Sequence, residues 1–171
     1  AFLNSFENLR IIGLDADCKI QARAKERLAP FGNRMNFYSG WFNDFYANYP
    51  ENLPKPDLIL FDLGAQYKYY NADISRTFPV NGKFTERQKE VYNAVLRVNE
   101  KVIEAMKPGV NYLEINALAK DLIAEECIGL GLITNKEEVG KYYYHSIGHS
   151  LGMDTHDIEK EGRNVILEEG M

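Results

Sequence analysis

The chain has 171 residues, enough for one domain with a substantial core or for one domain and part of another. A hydrophobic content of 45% and a charged content of 26% are typical of a globular protein, and a net charge of −5 without a basic cluster argues against nucleic acid as the main partner. Two cysteines imply no disulfide framework, and no apolar run has the length of a membrane span or the pattern of a signal peptide. We therefore expect a cytoplasmic protein without membrane contacts.

The first third of the chain predicts a strand, a helix and an irregular segment. Residues 9–18 have the pattern of a strand, and residues 19–29 that of a short charged helix. Residues 30–56 are rich in aromatic and turn-forming residues and end in a cluster of three prolines. Because such a cluster is typical of a linker, we predict a boundary near residue 50.

Beyond the boundary the pattern predicts a strand pair, residues 58–61 and 74–80, followed by two helices. Thr85 and Gln88 form a capping-box pattern for a helix that ends near Met106. Its predicted buried face consists of valines at helical spacing: Val91, Val95, Val98 and Val102.

Asn111 is the predicted cap of the second helix, residues 112–128, which two nearby glycines end. A last strand is predicted to begin at residues 164–167. Helices that alternate with antiparallel strand pairs indicate the α+β class.

The strand pair carries two aspartates, in the segment FDLGAQYKYYNADISRTF. The strand at 58–61 is predicted to be buried and leads into Asp62, whereas Asp73 precedes the second strand. A hairpin centred between Tyr67 and Lys68 would set the two carboxylates directly opposite each other, where like charges are destabilising. A cation between them would explain the pair. Alternatively, Asp62 pairs with a surface cation and Asp73 caps a turn.

The three histidines, His145, His149 and His156, are clustered in the segment HSIGHSLGMDTH. Histidine is the commonest metal ligand and the usual acid–base residue near neutral pH. Residues 145 and 149 could share one helix face, but Ser146 stands where a zinc-binding HExxH motif needs its glutamate. The cluster predicts a functional role, in contrast to an isolated surface histidine.

Together, DLGAQYKYYNADISRTFPVNGKFT and HSIGHSLGMDTHD resemble the metal-binding hairpin and the signature segment of the pita-bread metallopeptidases. The resemblance is greatest to the proline-specific branch, Xaa-Pro aminopeptidase (aminopeptidase P) and prolidase, and covers residues 57–171. It implies part of a pita-bread (creatinase/aminopeptidase-like) fold. It also implies that residues 1–50 are the end of a preceding α/β domain and that residues 51–171 are an incomplete catalytic domain.

The resemblance also implies a site and a reaction. Asp62 would bind one divalent ion, Asp73 would bridge two, and His149 would bind the first. His145 and His156 would be catalytic residues that line the substrate pocket. An oxygen-rich ligand set favours Mn²⁺ over Zn²⁺ or Co²⁺. The reaction would be hydrolysis of the bond between an N-terminal residue and proline by a metal-activated water, so the partner is a peptide with proline in second position.

The family completes its site with two glutamates on strands beyond the histidine segment, so we expect this sequence to be an incomplete record of a longer enzyme. Relatives are commonly oligomers, which predicts a homo-oligomer. Two alternatives stay open: an Xaa-Pro dipeptidase (prolidase), or a catalytically inactive binding module with the same fold.

Overall fold

The computed structural model describes residues 10–15, 18–143, 145–157 and 164–171. The chain forms two compact units, Ala1–Lys55 and Pro56–Met171. In the first unit, the elements are β1 (Ile11–Asp15), α1 (Cys18–Leu28), a 3₁₀ helix (Ala29–Arg34), β2 (Met35–Ser39) and α2 (Phe42–Ala47). Strands β1 and β2 pair in parallel, with Ile11 opposite Met35. Parallel strands joined through a helix make this unit α/β.

The sequence prediction for the first unit was partly wrong. Cys18 begins α1 and is not part of the strand, and the segment predicted to be irregular contains β2 and α2. Both elements are short, and β2 forms by pairing with β1. The paired residues, such as Ile11 and Met35, are 24 residues apart in the sequence. Local periodicity carries no signal for such a pairing.

The second unit begins with a twisted hairpin made of β3 (Leu58–Leu63), β4 (Gln66–Tyr67), β5 (Tyr70–Asn71) and β6 (Ile74–Pro79). Strand β3 pairs antiparallel with β6, and β4 with β5. Lys68 and Tyr69 form the turn with φ of 49° and 73°. Positive φ at both central residues is the type I′ arrangement, which Asn-Gly usually supplies.

The predicted register of this hairpin was wrong. Because the turn is centred between Lys68 and Tyr69, Asp62 lies opposite Ser75 and not opposite Asp73. The strand is also less buried than predicted, since Leu58 and Leu60 are 42% and 66% exposed and Asp62 itself is exposed. The Asp62 carboxylate is therefore solvated and needs no cation to offset burial.

Two helices, α3 (Glu86–Ala105) and α4 (Tyr112–Gly129), follow as predicted. The capping box is confirmed: Thr85 accepts from the Gln88 amide, and the Gln88 side chain accepts from the Thr85 amide. Along α3 the buried residues are Ala94, Val98 and Val102, whereas Val95, predicted to be buried, is 64% exposed. No helix in the described ranges has the length and apolar character that a membrane span requires.

The two helices enclose the core of the second unit. Val98 and Val102 of α3 pack with Ile115 and Ala119 of α4. A second cluster joins the end of α4 to the 3₁₀ helix that follows it, Lys136–Lys141. The predicted last strand is reduced to a single antiparallel bridge between Asn111 and Ile166, which lies beside the first residue of α4.

Candidate metal centre

The end of the hairpin and the histidine segment meet in the second unit. Asp73 follows β5, and its Oδ2 lies 3.0 Å from Nε2 of His149. The imidazole rings of His149 and His156 lie with their centroids 4.0 Å apart. One ligand atom from each of Asp73, His149 and His156 falls within 4.8 Å of the others. The fold thus gathers one carboxylate and two imidazoles from two distant segments.

The two ring nitrogens of His149 face a backbone carbonyl and the Asp73 carboxylate. Nδ1 lies 3.1 Å from the Ser150 carbonyl, which can only accept a hydrogen bond, so Nδ1 donates. Nε2 then points towards Asp73. Metal-binding histidines usually donate their second ring N–H to a carbonyl or carboxylate in this way.

The donor set of this cluster fits a divalent cation. Carboxylate oxygen and imidazole nitrogen suit Mn²⁺ and Zn²⁺, and one such atom from each residue lies within 4.8 Å of the others. The side chains of Asp73 and His149 are 19% and 27% exposed, so both are largely shielded but reachable from solvent. The cluster can therefore hold an ion that an incoming ligand also contacts.

The other two predicted site residues lie outside this group. The Asp62 carboxylate accepts a hydrogen bond of 2.7 Å from Ser75, its partner across the hairpin. Asp73 lies in the two-residue break between β5 and β6 and has no partner in the β3–β6 register. His145 is exposed and begins the described loop 145–157.

Helix α4 supports the loop that carries His149. The Tyr112 hydroxyl donates to the Gly148 carbonyl over 2.8 Å, and Oδ1 of Asn116 accepts from the Ile147 amide over 3.1 Å. The two side chains are four residues apart and so lie on one face of α4. Sequence reasoning missed both, although polar residues at this spacing on a helix with a buried face were a usable signal.

A carboxylate and two imidazoles that could hold a metal ion lie together on an α+β scaffold, and comparison with known proteins gives the family of the chain. Residues 30–171 match the sequence profile of metallopeptidase family M24. The chain belongs to this family. The match includes the hairpin, both long helices and the histidine segment, and it begins before the boundary predicted near residue 50.

Individual relatives agree with this assignment. An Xaa-Pro aminopeptidase 3 from Dictyostelium discoideum is 51% identical over 117 residues, which cover 67% of this chain and 23% of that protein. An Xaa-Pro dipeptidase from Pyrococcus horikoshii is 36% identical over 123 residues, covering 71% of this chain and 32% of the relative. The structure of aminopeptidase PepP from Pseudomonas aeruginosa superposes with a TM-score of 0.63 at 34% identity, covering 75% and 32% of the two chains.

These comparisons confirm the predicted resemblance and the predicted fold, part of the pita-bread architecture. The chain spans about a quarter to a third of the length of these relatives. Membership of a metallopeptidase family implies divalent metal ions. The roles of Asp62, Asp73, His145, His149 and His156 stay predictions.

Proposed function

We propose that this chain is the part of an Xaa-Pro aminopeptidase that supplies one half of a dinuclear metal site. The observation that carries the proposal is the convergence of Asp73, His149 and His156 within 4.8 Å of one another. Support also comes from the relatives, of which one is named an Xaa-Pro aminopeptidase and is 51% identical over the shared region.

In the proposed mechanism, Asp73 and His149 of the observed group, together with Asp62 outside it, would hold the metal ions, and the two carboxylates of this set favour Mn²⁺. When bound, such ions supply a Lewis acid for the scissile carbonyl and a nucleophile from water at neutral pH. His149 is held for this role by its Nδ1 contact with Ser150. His156, whose ring lies against that of His149, and His145 are proposed to contact the substrate.

Metal binding is tested first on the full chain. Mn²⁺ at 100 times its dissociation constant should raise the free energy of unfolding by about 2.7 kcal/mol, because the ion binds only the folded state. Asp73→Ala should abolish this rise. Asp57→Ala is the matched control, since Asp57 is an exposed aspartate directly before β3, at the open end of the same hairpin. If Mn²⁺ does not stabilise the unmodified chain, the metal proposal is wrong.

The substrate class is tested with two peptides. In the full-length enzyme of which this chain is proposed to be one part, Mn²⁺ should support release of alanine from Ala-Pro-Ala, as an aminopeptidase does, whereas the half-site alone is not expected to turn over. Cleavage of Ala-Pro alone would favour the dipeptidase alternative, for which the relative named an Xaa-Pro dipeptidase is the support. Mn²⁺ binding without cleavage of either peptide by the full-length enzyme would favour the inactive binding module.

A cytoplasmic location and a homo-oligomeric assembly remain predictions from the sequence. Both cysteines, Cys18 and Cys127, are free, in keeping with a reducing compartment. Light scattering of the purified protein measures the assembly directly.

A further inference from the structure

The two segments that form the metal centre are far apart in the sequence, and Asn71 joins them. Asn71 ends β5, two residues before Asp73. Its backbone amide donates to the Gly152 carbonyl over 2.9 Å. Its side-chain Nδ2 donates to the same carbonyl over 3.2 Å and to the Met153 carbonyl over 2.6 Å. Three hydrogen bonds therefore run from the Asp73 segment to the loop between His149 and His156.

The amide of Asn71 is oriented by contacts on both of its ends. Oδ1 accepts a hydrogen bond of 3.1 Å from Nε2 of Gln66, the residue opposite it in the hairpin. Nδ2 uses both of its hydrogens on the two loop carbonyls. A carboxylate of the same shape would place an oxygen against those carbonyls, so the site requires an amide and not merely a polar side chain of this size.

The loop that receives these hydrogen bonds is closed on itself. The Gly152 amide donates to the Asp154 carbonyl, and Ser150 and Asp157 exchange two hydrogen bonds, one through the Ser150 hydroxyl. Gly152 is buried, and a Cβ atom there would lie 1.6 Å from Oδ2 of Asp157. Because His156 lies within this closed loop, a fixed Gly152 carbonyl also fixes the position of His156.

We propose that Asn71 is a positioning residue of the metal centre: its three hydrogen bonds set the separation between Asp73 and the two imidazoles of His149 and His156. The inference rests on the proposed metal site, and Asn71 lies outside the group formed by Asp73, His149 and His156. It acts on the ligands through the hairpin on one side and the closed loop on the other.

The test compares Asn71→Asp and Asn71→Ala with the unmodified full chain. Loss of an outer-shell partner typically costs about 10–100-fold in metal affinity, and we expect a loss in this range for Mn²⁺ in calorimetric titrations. We expect Asn71→Asp to lose more than Asn71→Ala, since only the former repels the two carbonyls. Asn48→Ala, which removes an amide-to-carbonyl hydrogen bond in the first unit, is the control and should leave Mn²⁺ affinity unchanged.

A second measurement separates positioning from general stability. The visible spectrum of bound Co²⁺ reports ligand geometry and should change in the Asn71 variants but not in Asn48→Ala. Equal Mn²⁺ affinity and an identical Co²⁺ spectrum in both Asn71 variants would overturn the inference and leave the proposed function standing. Asn71→Ala keeps the test decisive if Asn71→Asp does not fold.

The metal-free chain provides an independent measurement. The imidazole proton resonances of His149 and His156 should shift in the Asn71 variants, because the His149–Asp73 contact loosens. If the unmodified chain bound no Mn²⁺, the proposed function would fail, and unchanged imidazole resonances in the variants would then overturn the positioning role as well.

Discussion

The helical pair α3–α4 and the hairpin β3–β6 belong to one unit, yet they are built in opposite ways. The helices begin with side-chain caps at Thr85 and Asn111 and bury Ile115 to 1% exposure. The hairpin keeps Leu60 and Leu63 more than 60% exposed and turns through two non-glycine residues with positive φ. The difference indicates that the helices supply most of the stability, while the hairpin and the histidine loop carry the proposed metal centre.

The strongest way to test this division is to empty the helical core. Ile115→Ala should lower the free energy of unfolding by about 2–5 kcal/mol, because it removes a fully buried side chain and leaves a cavity. Urea unfolding at fixed pH measures the change, and Ile115→Val should cost much less. A loss below about 0.5 kcal/mol, the size of a typical surface effect, would contradict the assignment of the core.

A change in the hairpin should affect the site more than the stability. A Cβ atom on Gly64 would lie 1.5 Å from the Ala72 carbonyl oxygen, so Gly64→Ala must separate the two strands. We expect a loss of about 1–3 kcal/mol from overpacking, together with weaker Mn²⁺ binding, because Asp73 directly follows Ala72. Gly129→Ala, where a Cβ atom meets nothing within 4 Å, is the matched control. Unchanged Mn²⁺ affinity in Gly64→Ala would contradict the role of the hairpin.

A substitution in the turn of the hairpin should raise the free energy of unfolding, whereas the two changes above lower it. Tyr69 adopts φ of 73°, a conformation that disfavours residues with a Cβ atom. Tyr69→Gly should therefore raise the free energy of unfolding by up to about 1 kcal/mol, since glycine adopts this conformation freely. Thermal unfolding measures the gain, and a lower melting temperature would show that the exposed Tyr69 ring stabilises the hairpin.

The smallest expected effect lies on the helical side and depends on pH. Hydrogen bonds from Lys141 and from the Thr134 amide and hydroxyl lower the pKa of Glu138 from 4.5 to about 2. A lowered pKa in the folded state means that this stabilisation is present above pH 4.5 and is lost as the pH falls towards 2. Glu138→Gln should flatten the stability profile in this window. A profile parallel to that of the unmodified chain would show that the contacts contribute nothing.

The sequence predicted the helical part of the fold well because its signals are local. Thr85, Gln88 and Asn111 act on amides within three residues, so their spacing alone locates both helix starts. The hairpin register could not be predicted, because its turn lacks the usual signal. A type I′ turn is usually marked by Asn-Gly, and here Lys68 and Tyr69 occupy the two positions.

The candidate site was predicted in part, from sequence motifs and not from local helix or strand signals. Asp73, His149 and His156 were identified from motifs, and the fold brings them together. Asn71 was not identified, because its role depends on carbonyl groups 81 and 82 residues away. Backbone carbonyls exist at every position, so no sequence pattern marks the ones that a side chain will reach.

The distance along the chain between Asp73 and His149, 76 residues, has a consequence for the order of folding. Hairpins form in about 1–10 μs, whereas contacts of high sequence separation must wait until the intervening chain is ordered. Most of the intervening chain is the helical pair, which packs on itself through Val98, Val102, Ile115 and Ala119. We therefore expect the hairpin and the helices to form first and the metal centre last, so that the nascent protein acquires affinity for the ion only in its final folding step.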